Sequence, residues 1–94
     1  MPSCDDDKAV DAVRKFILRR GYDTASAPSS TLVDYVDERT GRVGCVGSFP
    51  ATHTLFFENQ KVPKKESKYN VQVSYFVQFD LNGSLIVGEM VEKY

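Results

Sequence analysis

His53 is the only histidine in the chain, and Cys4 and Cys45 are its only cysteines. These are the side chains best suited to nucleophilic or metal chemistry. A Cys–His nucleophile needs thiol and imidazole within hydrogen-bond reach, and nothing in the spacing brings them together. The same spacing fits no zinc pattern. The expectation is a structural His53 in a strand, a frayed terminal thiol at Cys4 and a small core residue at Cys45. Two cysteines are too few for a disulfide framework, so a reduced, cytoplasmic setting is expected over a secreted one.

The stretch 41–47 reads Gly-Arg-Val-Gly-Cys-Val-Gly. It lacks the Gly-Lys-Ser/Thr ending of a phosphate loop and precedes no helix pattern, so it is not read as a nucleotide site. A paired-carboxylate acid–base site needs one carboxyl in an apolar cleft, and no spacing here marks one. No catalytic residue, metal ligand or cofactor is expected.

Lys61, Lys64, Lys65 and Lys68 form a basic segment with Pro63 and Glu66 among them. As structure it is a solvated hairpin loop. As function it is an anion-binding patch, with Phe57 and Tyr69 for stacking and Arg39 and Arg42 for added charge. The whole chain has 12 basic and 13 acidic residues, a net charge of −1, which argues against a dedicated nucleic-acid binder.

The elements that must carry these residues follow from periodicity. Ninety-four residues make one domain, 1–94. No apolar run is long enough for a membrane span. The start, Met-Pro-Ser-Cys-Asp-Asp-Asp, is acidic and lacks the apolar stretch of a secretory signal. A cysteine before acidic residues also occurs just after the cleavage point of bacterial lipoproteins.

Ala9, Val10, Val13, Phe16 and Ile17 recur at helical spacing, which predicts an amphipathic helix. Ser3 is its expected N-cap with Asp6 three residues on, and Gly21 its expected left-handed stop. Residues 22–30 are small and polar and read as a loop. The period then becomes two. Residues 32–37, 43–49 and 52–58 read as three strands, with a turn at 38–41. Gly44 and Gly47 suggest a bulge or a close backbone approach. From Tyr69 to Leu81 the odd positions are apolar, while the even ones are polar except Phe76. A last strand follows at 84–92.

The hairpin between these last strands has two possible registers. A two-residue Asn82-Gly83 turn pairs Phe79 with Ile86. A type I turn with a Gly83 bulge pairs Phe79 with Leu85, Val77 with Val87 and Val73 with Val91, and leaves Glu89 opposite Tyr75. The second keeps apolar opposite apolar and is preferred. It places Phe76, Ile86 and Met90 together on the outer face, away from the core.

The expected fold is α+β: one N-terminal helix packed on an antiparallel sheet of four to five strands. Helix first and then a meander resembles the cystatin-like arrangement, a sheet gripping a helix. Cystatin inhibitors carry a Gln-x-Val-x-Gly loop. The nearest stretch, Gln72-Val73-Ser74-Tyr75-Phe76, has Ser74 and Phe76 where that motif has valine and glycine, and it lies inside a strand. The resemblance therefore implies architecture and not protease inhibition.

The leading functional expectation is a non-enzymatic protein-binding module: an inhibitor, adaptor or accessory subunit. It would dock a sheet face or edge on another protein or on a second copy, through Phe76, Ile86 and Met90. The alternatives are a polyanion binder using the 61–68 loop and a small enzyme with a cleft between helix and sheet.

Overall fold

Helix α1 runs over Asp7–Arg19 and is capped by Asp6, whose carboxylate accepts the Lys8 amide. The cap is Asp6 and not Ser3. The Asp6 amide instead donates to the Ser3 carbonyl, which closes a turn before the helix. Two capping residues compete within one short stretch, and the one nearer the apolar stripe wins. Gly21 follows the helix at φ 104°, the left-handed stop expected of it. Ala9, Val13 and Ile17 are fully buried, and Val10 and Phe16 pack beside them.

The computed structural model describes residues 2–55 and 65–93. After α1 come β1 (Thr24–Ala25), β2 (Ser30–Asp37), β3 (Arg42–Leu55), β4 (Lys65–Phe79) and β5 (Leu85–Lys93). They form one antiparallel sheet in the order β1-β3-β4-β5, with β2 pairing beside β1 on the same edge of β3. The architecture is the α+β meander with an N-terminal helix.

One long strand replaces the two expected at 43–49 and 52–58, and residues 56–58 lie outside the described part. Pro50 sits inside β3, opposite Asn70. Its carbonyl accepts the Ser26 amide, so its missing N–H points to the same side. There the four residues 26–29 pass opposite only Phe49 and Pro50, between the ends of β1 and β2. No ladder bond is demanded of the proline, and the strand continues through it.

The core lies between α1 and the sheet face made by Val43, Cys45, Phe49, Ala51, Val71, Val73, Tyr75 and Val77, all buried. These are the odd positions of β3 and β4, as the period-two pattern requires. α1 packs on β1, β4 and β5. Arg14 fastens the helix to β1 by donating from Nε to the Ala25 carbonyl at 2.8 Å. Leu18, outside the helix stripe, is exposed.

Cys4 and Cys45 form a disulfide, with Cα atoms 5.8 Å apart and a separation of 41 positions in sequence. Neither a frayed terminal thiol nor a free core cysteine is present. Because the helix starts late, residues 2–5 are an arm that folds over the helix side of the sheet. Pro2 and Cys4 are buried there. No helix of the described residues is long and apolar enough to cross a membrane.

Candidate functional site

The β4–β5 hairpin has the bulged turn. The Gly83 amide donates to the Asp80 carbonyl, and Asp80 Oδ1 accepts the amides of Asn82 and Ser84. Gly83 takes φ 80°. Phe79 pairs with Leu85 and Val77 with Val87, as expected. The ladder then slips. Phe76 pairs with Gly88, but Ser74 pairs with Val91, so Glu89 and Met90 both stand opposite Tyr75. Glu89 absorbs the extra residue at φ 50°, the one positive φ outside glycine among the described residues.

That slip changes the membership of the outer face. Val73 pairs with Glu92 and not with Val91. Met90 turns to the helix side and packs against the core, and Val91 takes the outer position. The expected trio therefore divides: Phe76 and Ile86 share the outer face, and Met90 does not. Glu92 also turns inward. Its carboxylate accepts the Tyr22 hydroxyl at 2.8 Å and the Arg20 Nε at 3.2 Å.

Two rows cross the outer face. One is Tyr35–Gly44–Phe76–Gly88, and the other is Leu32–Val46–Ser74–Val91. Neither contains a charged residue. In the first row, aromatic rings lie on glycines. A side-chain carbon on Gly44 would stand 2.1 Å from the Tyr35 ring, and one on Gly88 would stand 2.9 Å from the Phe76 ring. Both glycines are vacancies that the neighbouring rings fill. Phe76 is further roofed by the Arg42 guanidinium, 3.9 Å from its ring centroid. Arg42 is held in turn by Gln78 Oε1 at 3.3 Å. Phe76 is left 9% exposed, while Ile86 is 44% exposed. Phe76 is thus a covered part of the face rather than its contact point.

The exposed apolar side chains of this face are Leu32, Tyr35, Ile86 and Val91, with Val46 half-buried between them. Only Ile86 was singled out in the sequence. Gly44 carried a readable signal, since a glycine inside a strand marks close approach, and Tyr35 is what approaches. Val91 was hidden because the slip falls on Glu89, a residue type that seldom takes a positive φ.

The basic segment lies largely outside the described residues, and Arg39 and Arg42 do not join its described end. Lys61 and Lys64 lie outside the described residues. Lys65 begins β4, and Lys68 is exposed opposite Thr52. Arg42 opens β3 ten residues before Thr52, roughly 33 Å away along the strand. Lys68 and the Arg39–Arg42 turn are therefore at opposite ends of the sheet. Arg42 is also committed to Phe76 and Gln78.

Cys45 and His53 are eight residues apart on β3, roughly 26 Å along the strand. Cys45 sulfur is bonded to Cys4. His53 is half-buried, edge-on to the Tyr22 ring at 6.3 Å between centroids, and Tyr22 meets Tyr69 likewise at 6.0 Å. The histidine belongs to an aromatic cluster at the far end of the core. Among the described residues, no three His, Cys, Asp or Glu side chains converge in a way that could hold a metal.

Tyr75 is the buried titratable group of the core. Its hydroxyl donates to the Cys4 carbonyl at 2.6 Å. Burial, with the negative charge of Asp5 adding to it, pushes its pKa up to about 12. A phenol this hard to ionise serves as a hydrogen-bond donor at neutral pH.

Set beside protein-family models, curated proteins and solved structures, the chain matches none of them.

Proposed function

We propose that this chain is a non-enzymatic protein-binding module whose contact surface is the outer face of the sheet. One observation carries the reading. Two adjacent strand rows without charge expose Leu32, Tyr35 and Val91, with Ile86 beside them, on the face opposite α1. Single exposed apolar residues are ordinary, but four on one face of a sheet favour an interaction surface. The Cys4–Cys45 disulfide supports an oxidising compartment as the working environment, against the cytoplasmic expectation.

The test is the paired substitution Ile86→Glu with Val91→Glu. Both side chains are exposed, so the melting temperature should hold. Material from the native host that the wild type retains should be lost by this variant and kept by Lys15→Glu, on the far side of α1. Retention should also survive raised salt, since apolar docking lacks the steep salt dependence of phosphate contacts. Unchanged retention by the double variant would overturn the reading.

A further inference from the structure

We propose that the notch beyond the end of β5 is a binding site for an organic ammonium ion, with a methylated nitrogen seated against the rings of Tyr22 and Tyr69 beside the Glu92 carboxylate. β5 ends at Lys93, opposite Gln72, while β4 runs back to Lys65. The step leaves an open cavity of about 500 Å³, lined by Tyr22, Tyr69, Val71 and Glu92 among others. That volume suits a small ligand. Tyr69, Val71 and Glu92 are helix-side positions, so this site is separate from the outer face.

The chemistry of the walls selects the ligand. The two tyrosine rings stand at 74° to each other, with centroids 6.0 Å apart. Tyr69 is 48% exposed, so its ring is open to a ligand. Aromatic faces attract cations through the ring quadrupole. The Tyr22 hydroxyl donates to Glu92 at 2.8 Å, and a phenol that leans its proton toward a carboxylate has a more electron-rich ring. The Glu92 side chain is 10% exposed, so water screens its charge little. Arg20 meets the same carboxylate at 3.2 Å and offsets part of that charge. It does not line the cavity.

Both oxygens of Glu92 already accept a hydrogen bond, one from Tyr22 and one from Arg20. A primary amine or a guanidinium would compete with these donors. A quaternary ammonium has no N–H to place and gains from the aromatic faces instead. The offset from Arg20 makes the affinity modest, with a Kd in the millimolar range.

The irregularity of β5 is what supplies the carboxylate. An unbroken ladder from the Val77–Val87 pair would set Glu92 opposite Gln72, on the outer face. The extra residue at Glu89 sets it opposite Val73, on the helix side. Glu89 holds φ 50° to do so. Strained backbone clusters at ligand sites, and here its consequence is a carboxylate beside two aromatic rings.

The experiment is a proton NMR titration of the tyrosine ring signals with choline at constant ionic strength. The control ligand is the uncharged analogue of choline with carbon in place of nitrogen. The proteins are the wild type, Tyr69→Phe, Tyr69→Leu and Glu92→Gln, each with a thermal melt. Choline should shift the ring signals of Tyr22 and Tyr69 saturably, and the analogue should bind about fivefold more weakly or worse. Tyr69→Phe keeps the aromatic face and should bind as the wild type does. Tyr69→Leu and Glu92→Gln should each weaken binding by about fivefold. Tyr69 is half exposed, and glutamine keeps an acceptor for Tyr22, so both variants should stay folded. The proposal is wrong if choline gives no saturable shift or if the analogue binds equally well. It is equally wrong if Tyr69→Leu binds choline as tightly as Tyr69→Phe, because the cavity would then be an apolar hollow and not a cation site.

Discussion

The Tyr75 hydroxyl donates to the carbonyl oxygen of Cys4 across 71 residues of sequence, and the Cys4 side chain is itself bonded to Cys45 on the neighbouring strand. Disulfide and phenol together hold the N-terminal arm against β3 and β4. Closing a loop across a separation of 41 residues restricts the unfolded chain. On the chain-entropy account this stabilises the fold by about 4 kcal/mol. Cys4→Ala with Cys45→Ala should therefore lower the urea unfolding free energy by about 2–4 kcal/mol, and reduction of the wild type should do the same. A loss below about 1 kcal/mol would show that the arm contributes little.

Tyr75 makes stability fall in alkali. Its folded pKa of about 12 stands above the ordinary value of 10.0, so between those values the native state binds more protons than the unfolded state. The stabilisation is complete below about pH 10 and is lost as pH rises toward 12. Thermal melts from pH 8 to about 11.5 should show a decline in the wild type that is shallower in Tyr75→Phe. Equal slopes would contradict a buried, hydrogen-bonded phenol.

The parts of the fold that were legible in the sequence are those set by local chemistry. The helix stripe Ala9–Val13–Ile17 and the stop at Gly21 follow from spacing and from glycine. The alternation assigns the core face of β4 at Val71, Val73, Tyr75 and Val77, while Tyr69, Phe79 and Leu81 at its ends are exposed, and Asp80 with Gly83 selects the bulged turn. What stayed hidden depends on partners distant in sequence. The disulfide forms because the arm crosses β3, which no spacing reveals. The continuity of β3 through Pro50 depends on the detour at residues 26–29. The outer position of Phe76 was readable from parity. Its burial was not, because Gly88 and Arg42 come to it from other strands.

Phe76 and Ile86 should behave oppositely although they share a face. Phe76 fills the space over Gly88 beneath Arg42, so Phe76→Ala should cost about 3 kcal/mol. Phe76→Glu should destabilise at least as much, since it buries a carboxylate among apolar groups. Ile86 is 44% exposed, so Ile86→Ala should stay within about 1 kcal/mol of wild type. Urea denaturation of the three variants checks this. A Phe76→Ala protein as stable as Ile86→Ala would mean that the ring over Gly88 is not packed.

The bulge at Glu89 leads to the sharpest prediction. Met90 faces the core and Val91 faces out because two residues, Glu89 and Met90, stand opposite Tyr75. Glu89 holds φ 50°, which costs a residue with a side chain about 1–2 kcal/mol, while glycine takes it freely. Glu89→Gly should therefore match the wild type or exceed it by up to about 1 kcal/mol, the strain relieved less the added entropy of an unfolded glycine. Glu89→Val, stiff at its β-carbon, should lose about 1–2 kcal/mol. Removing residue 89 altogether is the stronger test. The shortened strand pairs Met90 with Tyr75 and Val91 with Ser74 in a regular ladder, so Met90 stays inside and Glu92 keeps Tyr22 and Arg20. This deletion should remain folded within about 1 kcal/mol of the wild type, because it removes only the unpaired residue. Deleting Ser74 from β4 has the opposite effect. β4 carries no spare residue there, so the loss turns Val73 and Val71 out of the core and should unfold the domain. Urea denaturation and the tyrosine near-ultraviolet circular dichroism of both deletions would decide. If loss of Glu89 unfolds the chain as completely as loss of Ser74, the bulge is not where the extra residue resides, and the inward placement of Met90 and Glu92 is wrong.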